Sequence, residues 1–213
     1  MSGLIRDILF PEDAVCAVCG AITNEHLLCS GCRAALDREA LAYAGRWTRP
    51  DLPDARSAFA HRDIARDLVL MLKHQSVAAA ADLLAGYMMP PARSLLLPPY
   101  TVVTYVTMPE SRLRERGIDH GQLLARAVAR RLSLPYAALL KRADAGHSTQ
   151  QGLNRASRKR NLQGLFAAVC PCDGTILLVD DVITTGATTA ECTKVLLEAG
   201  ASSVKVLTAT SAQ

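Results

Sequence analysis

Two common phosphate-loop signatures, G-x-x-x-x-G-K-[ST] and G-x-G-x-x-G, are missing from these 213 residues, which counts against a P-loop enzyme and a dinucleotide-binding oxidoreductase. Also missing is any stretch near the roughly 18 uninterrupted apolar residues of a membrane span. The most apolar region, residues 94–107, is broken by Pro98 and Pro99. Aromatics are scarce, with one Trp, five Tyr and three Phe, so an extensive base-stacking platform for single-stranded nucleic acid is not expected. Residues 1–10 place Asp7 inside a very short apolar run with no small-residue cleavage site. A secretory leader is therefore not expected, and a cytoplasmic location is the default. There is no internal repeat, and half the residues are hydrophobic, enough to bury the core of one α/β domain with a small accessory module.

Four of the seven cysteines are crowded into one short segment as Cys16-x2-Cys19-x9-Cys29-x2-Cys32. Each CxxC knuckle folds two sulfurs onto one side of a tight turn, so the set reads as four thiolate ligands of a tetrahedral Zn2+ rather than as disulfides. Ligation by four cysteines leaves no open position, so the zinc is structural, and its binding should supply the folding energy of a segment too short to have its own core. His26, between the knuckles, reads as a surface residue. Cys170, Cys172 and Cys192 repeat no such pairing.

The expected division is a zinc module and linker over residues 1–50 and a second domain over residues 51–213. Residues 37–53 show a weak pattern marked by Gly45, Pro50 and Pro53 and read as linker. Ile64, Leu68, Met71 and Leu72 form the stripe of an amphipathic helix ending near Lys73-His74-Gln75, and a second helix over residues 77–89 should stop at Pro90-Pro91. Residues 101–107 read as a strand, followed by a loop through Pro109, Arg112, Arg116 and Gly117 and a helix from about His120. Residues 141–162 show no convincing strand and read as a long loop. Residues 175–180 are a continuous apolar run, as in a central strand covered on both faces. The helix that follows has Cys192, Val195, Leu196 and Ala199 on its apolar face, and residues 203–209 form a last strand. Strand alternating with helix predicts a doubly wound parallel sheet with its ligand crevice at the carboxyl ends of the strands.

Asp180 and Asp181 fall at such an end, followed by Thr184-Thr185-Gly186-Ala187-Thr188 at a helix start. Two adjacent carboxylates need a partner, and a ribose cis-diol can donate a hydroxyl to each. The loop's backbone NH groups and hydroxyls surround the positive end of the helix dipole, where a phosphate fits. Gly186 allows close approach and the small Ala187 keeps the mouth open. Together they specify a sugar phosphate. A basic field lies nearby, since residues 110–161 hold twelve arginines and lysines against four acids. That suits a polyanion, whether pyrophosphate or a nucleic-acid backbone.

The thirteen residues 177–189, Leu-Leu-Val-Asp-Asp-Val-Ile-Thr-Thr-Gly-Ala-Thr-Thr, resemble the motif of type I phosphoribosyltransferases. With the cysteine knuckles, Leu72-Lys73, Arg112-Leu-Arg-Glu-Arg-Gly117, Gln150-x-x-Leu153 and Arg158-x-x-Asn161, the chain resembles ComF-family proteins over nearly its whole length. The family usually follows the glycine with an aromatic, Asn and Gln. Here the run is Ile118-Asp119-His120, and His147 stands where Thr is frequent.

The resemblance implies a type I phosphoribosyltransferase-like sheet that binds 5-phosphoribosyl-1-pyrophosphate with Mg2+. Lys73, Arg112, Arg114, Arg116 and Gly117 would then lie about the pyrophosphate, and Arg158, Lys159 and Arg160 on a flexible loop over the site. As pyrophosphate leaves C1, Mg2+ and arginines would stabilise the charge that develops, with Asp180, Asp181 and Arg158 as the catalytic set.

Two functions are compatible with these residues. One is transfer of the phosphoribosyl group to a nitrogen acceptor that no residue identifies; with Gln213 close behind a strand, the zinc-bearing half would have to help build an acceptor site. The other, implied by the ComF resemblance, is a role in competence and DNA uptake. There the phosphoribosyl site would be a sensor or scaffold, single-stranded DNA a mainly electrostatic partner, and competence-machinery proteins further partners. A zinc-stabilised interaction protein that lost its ligand is a third reading, against which the intact acidic pair argues.

Overall fold

The computed structural model describes residues 15–24, 27–43, 46–47, 55–75, 78–142 and 164–212. In chain order the elements are α1 (Ser30–Ala42), β1 (Arg46–Trp47), β2 (Ala55–Ala60), α2 (Asp63–Gln75), α3 (Ala78–Tyr87), α4 (Met89–Arg93), β3 (Val102–Tyr105), α5 (Glu110–Arg116), α6 (His120–Leu132), β4 (Leu140–Arg142), β5 (Phe166–Ala168), β6 (Thr175–Ile183), α7 (Ala187–Glu198) and β7 (Ser203–Ser211). The main sheet has the order β1-β2-β7-β6-β3. Its β2, β7, β6 and β3 are mutually parallel, and only the short edge strand β1 runs antiparallel.

The expected doubly wound sheet is what forms, and β6 shows why. Its residues alternate between two cores: Leu177 and Val179 join a cluster with side chains of α2, α3 and α6, while Ile176 and Leu178 join one with Cys192 and Leu196 of α7. A strand buried on both faces calls for apolar residues, and this one is apolar from Ile176 to Val179. Cys16, Leu28 and Leu36 belong to the first of these clusters, so the cysteine-bearing segment and α1 pack into the same core as the sheet.

Several local expectations are corrected. Pro90 and Pro91 do not stop a helix; they open α4, where a missing N–H breaks no helical hydrogen bond. The expected loop around Arg112 to Gly117 contains the seven-residue α5, closed by Gly117 in the left-handed region, whose N–H bonds Leu113 O at 2.8 Å. Lys141 and Arg142 lie in β4, which pairs with β5, whereas residues 143–163 are outside the described residues. The expected linker is helical as far as Ala42 and supplies β1 at Arg46–Trp47. Both elements depend on docking to α2 and β2, which no local pattern encodes.

Among the described residues no helix is long and apolar enough to cross a membrane. Gly200 shows how tightly the turn between α7 and β7 is closed. Its φ is +112°, and a Cβ there would lie 2.7 Å from the carbonyl oxygen of Cys172. Gly200→Ala should therefore destabilise the fold by about 1–3 kcal/mol, measured as a lowered urea midpoint with an unchanged slope.

Candidate functional site

The carboxyl ends of the parallel strands converge on Asp181. This carboxylate is 7% exposed and is held from two sides, by Lys73 Nζ at 2.9 Å and His120 Nε2 at 3.0 Å. Lys73 comes from the last turn of α2, and His120 is the first residue of α6. The geometry is prepared locally. Asp119, the N-cap of α6, accepts from Gly121 N at 2.9 Å and Gln122 N at 3.4 Å, and reaches back to Met108 N at 3.3 Å. Arg116 donates to Lys73 O at 3.1 Å, tying the end of α5 to the end of α2. At the other end of α2, Glu39 of α1 accepts from Ile64 N and Ala65 N, both at 3.4 Å, capping the helix that delivers Lys73.

Burial alone would push the Asp181 carboxyl up, but the hydrogen bond from His120 and the charge of Lys73 outweigh it and hold the group below its ordinary range. The adjacent Asp180 goes the other way. Burial and the charge of Asp181 push it well above the carboxylate range. Strand alternation sends the two side chains to opposite faces of β6, so they meet different neighbours. Asp180 accepts from the N–H of Asp181 at 2.9 Å, on the side of β6 that faces Cys192 and Arg142. Arg142 stacks on Phe166, its guanidinium carbon 5.1 Å from the ring centroid, and its buried Nε lacks a partner among the described residues.

Beyond Asp180 the chain makes the turn expected of an anion cradle. Gly186 has φ +74° and, among the described residues, no side chain caps α7, so the first backbone donors of the helix are left to the loop. Thr185 Oγ1 accepts from Ala187 N at 3.3 Å, and Thr189 Oγ1 donates to Gly186 O at 2.9 Å. Asp180, Val182 and residues 183–189 line a hollow of about 40 Å³, with Thr184 exposed at its mouth.

The structure thus brings Asp180, Asp181, Lys73, Thr184, Thr185, Gly186, Ala187 and Thr188 to one end of the sheet. Arg116 lies beside Lys73, with Gly117 next in sequence, whereas Arg112 and Arg114 are exposed on α5, where Arg114 pairs with Glu110 at 3.4 Å. Arg158 lies outside the described residues. Sequence reasoning did not pick out His120, Asp119 or Arg142 as site residues. The one available signal was the departure Ile118-Asp119-His120 after Gly117.

The four-cysteine segment meets its expectation in geometry. The Sγ atoms of Cys16, Cys19, Cys29 and Cys32 all lie within 4.8 Å of one another, and Cys19 and Cys29 Sγ are 3.7 Å apart. A tetrahedron with metal–sulfur bonds of about 2.3 Å has edges of about 3.8 Å, so the set fits a metal such as zinc. The Cys16 thiol is held down at about 6; burial would raise it, but hydrogen bonds from the Cys19, Cys29 and Val18 backbone outweigh that. Cys32 is pushed up to about 12, by burial and then by its neighbouring sulfurs. A dication among these groups would relieve that mutual repulsion.

Asp181→Asn leaves Lys73 without its counter-ion while relieving Asp180, so the net loss should be about 1–2 kcal/mol at neutral pH. Because the folded-state pKa of Asp181 is lowered, this stabilisation is present above the unfolded carboxylate value of about 3.9 and lost as pH falls through the folded one. Urea midpoints of the two proteins should differ at pH 7 and converge in acid. A constant gap would mean that the carboxylate is not the stabilising species.

Residues 119–212 match the model of the phosphoribosyl transferase domain, which spans α6, β6, the Thr-Gly loop, α7 and β7. The "DNA utilization protein YhgH" of Salmonella typhi is 28% identical over 90% of this chain and 88% of its own. "Competence protein F" of Haemophilus influenzae is 32% identical over 43% of this chain, a stretch that covers 42% of that protein. Among solved structures, orotate phosphoribosyltransferase from Aeropyrum pernix is similar with a TM-score of 0.41, at 19% identity over 82% of this chain and 78% of its own. The chain thus carries a phosphoribosyl transferase domain and a four-cysteine segment and is similar to proteins named for DNA utilization and competence.

Proposed function

We propose that the site binds 5-phosphoribosyl-1-pyrophosphate and that the protein is a phosphoribosyltransferase acting on a nitrogen acceptor. The observation that carries this reading is the hollow at the uncapped N-terminus of α7, bordered by Asp180 and lined by Thr184, Thr185, Gly186, Ala187 and Thr188. The 5-phosphate takes the backbone donors of the loop, and the ribose hydroxyls are read by the acidic pair, Asp180 from the hollow side and Asp181 from the Lys73 side. Lys73, Arg112, Arg114, Arg116 and the backbone at Gly117 provide the field for the pyrophosphate, with Arg158 acting from its own segment. Mg2+, when bound with the ligand, supplies charge neutralisation on the leaving pyrophosphate. The asymmetry of the pair, one carboxyl held low and its neighbour pushed up, gives one firm anion and one group able to share a proton with a hydroxyl.

The four cysteines form a structural zinc site. Residues 1–50 act as a zinc module and residues 51–213 as the phosphoribosyltransferase-like domain. A second reading, handling of single-stranded DNA in uptake together with competence-machinery proteins, is favoured by the names of the relatives and by the exposed Arg112, Arg114, Arg130 and Arg131 on α5 and α6.

Asp180→Asn combined with Asp181→Asn should weaken binding of 5-phosphoribosyl-1-pyrophosphate with Mg2+ at least a hundredfold in calorimetric titration, while circular dichroism stays unchanged; equal affinity would remove the site assignment. Repeating the titration on protein saturated with single-stranded DNA separates the two readings, since a shifted affinity means that the sites are coupled. Replacing Cys16 and Cys19 by serine should abolish bound zinc in elemental analysis and lower the melting temperature. A metal-free wild type of equal stability would contradict the zinc module.

A further inference from the structure

His61 follows directly on β2, and its N–H donates to Ser211 O at 2.6 Å, which continues the pairing of β2 with β7 to the carboxyl end of the sheet. Its ring is fixed by a relay of hydrogen bonds. Nδ1 lies 2.9 Å from Thr210 Oγ1, and Thr210 Oγ1 donates to the backbone carbonyl of Asp181 at 3.3 Å. A hydroxyl has one hydrogen. With that hydrogen on the Asp181 carbonyl, the imidazole is assigned as the donor at Nδ1, which leaves Nε2 as its proton-free nitrogen. Among the described residues nothing pairs with Nε2, and the side chain is only partly buried.

The charged groups facing the ring are Lys73 and Arg66 from α2 and Asp181 from β6, while β7 contributes the Thr210 hydroxyl. Burial, then Lys73 and Arg66, disfavour the imidazolium more than Asp181 favours it, so the histidine lies below its ordinary range and is neutral at pH 7. His120 cannot serve in the same way, because its Nε2 is committed to Asp181 and its Nδ1 is enclosed without a partner among the described residues.

We infer that His61 is the proton acceptor for the incoming nucleophile, an inference that rests on the phosphoribosyl transfer proposed above. A nucleophile carrying N–H or O–H attacks C1 with its lone pair. The C1–oxygen bond breaks, pyrophosphate leaves with the electron pair, and the proton of the nucleophile passes to Nε2 of His61. The acceptor class is therefore a neutral N–H or O–H compound that must lose a proton to complete the transfer. Such a base contributes about 10²–10⁴-fold to a rate.

Two measurements test this, with solvent water as the probe acceptor. Two-bond proton–nitrogen correlation spectra of histidine-labelled protein should show His61 protonated at Nδ1; the Nε2-protonated form would overturn the assignment. Pyrophosphate release from 5-phosphoribosyl-1-pyrophosphate with Mg2+ should rise with pH through the titration of His61 and then level off. His61→Gln should bind the ligand within about twofold of wild type, yet lose the rising limb and at least tenfold of the plateau rate. An identical profile in the variant, or no release above buffer by a wild type that binds, removes the base and leaves the sugar-phosphate site standing. Failure of the wild type to bind the ligand removes that site, and the base with it.

Discussion

The Asp181 carboxylate is withdrawn almost wholly from water, between Lys73 Nζ at 2.9 Å and His120 Nε2 at 3.0 Å. A buried carboxylate without such partners would be destabilising by several kcal/mol. With them, three elements distant in sequence are pinned to one point: the end of α2, the end of β6 and the start of α6. Much of what surrounds the site supports this contact. Asp119 starts α6 at the required residue, Arg116 holds the backbone of Lys73, and Glu39 caps the far end of the helix that carries it.

Glu39 also connects the two chemically distinct ends of the protein. It lies on α1, the helix that begins at the last cysteine knuckle, with Cys29 as its N-cap. The cysteine cluster, α1, the Glu39 cap, α2 and Lys73 therefore form one continuous mechanical series ending at Asp181. Cys16 and Leu28 share a core with Leu72 and Val179, so the cysteine-bearing segment packs into the same core as the sheet. A metal that orders the cysteines would thereby order the face of α2 that the site requires.

The fold was legible in the sequence wherever the pattern was local and periodic. The stripe of Ile64, Leu68, Met71 and Leu72, the apolar run of β6 and the Asp-Asp to Thr-Gly succession each define an element through neighbours in sequence. The prolines at 90 and 91 misled because a proline that ends one helix is equally suited to begin another. The helix α5 was hidden within a run rich in arginine, whose exposed charges carry no periodic apolar signal.

The sequence by itself determined the doubly wound sheet, the four-cysteine cluster and the Thr-Gly turn into α7, because each depends on residues within one or two adjacent elements. Only the tertiary structure decided that adjacent aspartates lead different lives. Strand alternation sends them to opposite faces, and the groups waiting there are a lysine 108 positions away and a histidine 61 positions away on one side, an arginine and a buried cysteine on the other. The same holds for His61, whose tautomer depends on a threonine of β7 and a carbonyl of β6. A carboxyl or imidazole takes its proton affinity from whatever charge and burial surround it, and those are set by which strands and helices meet.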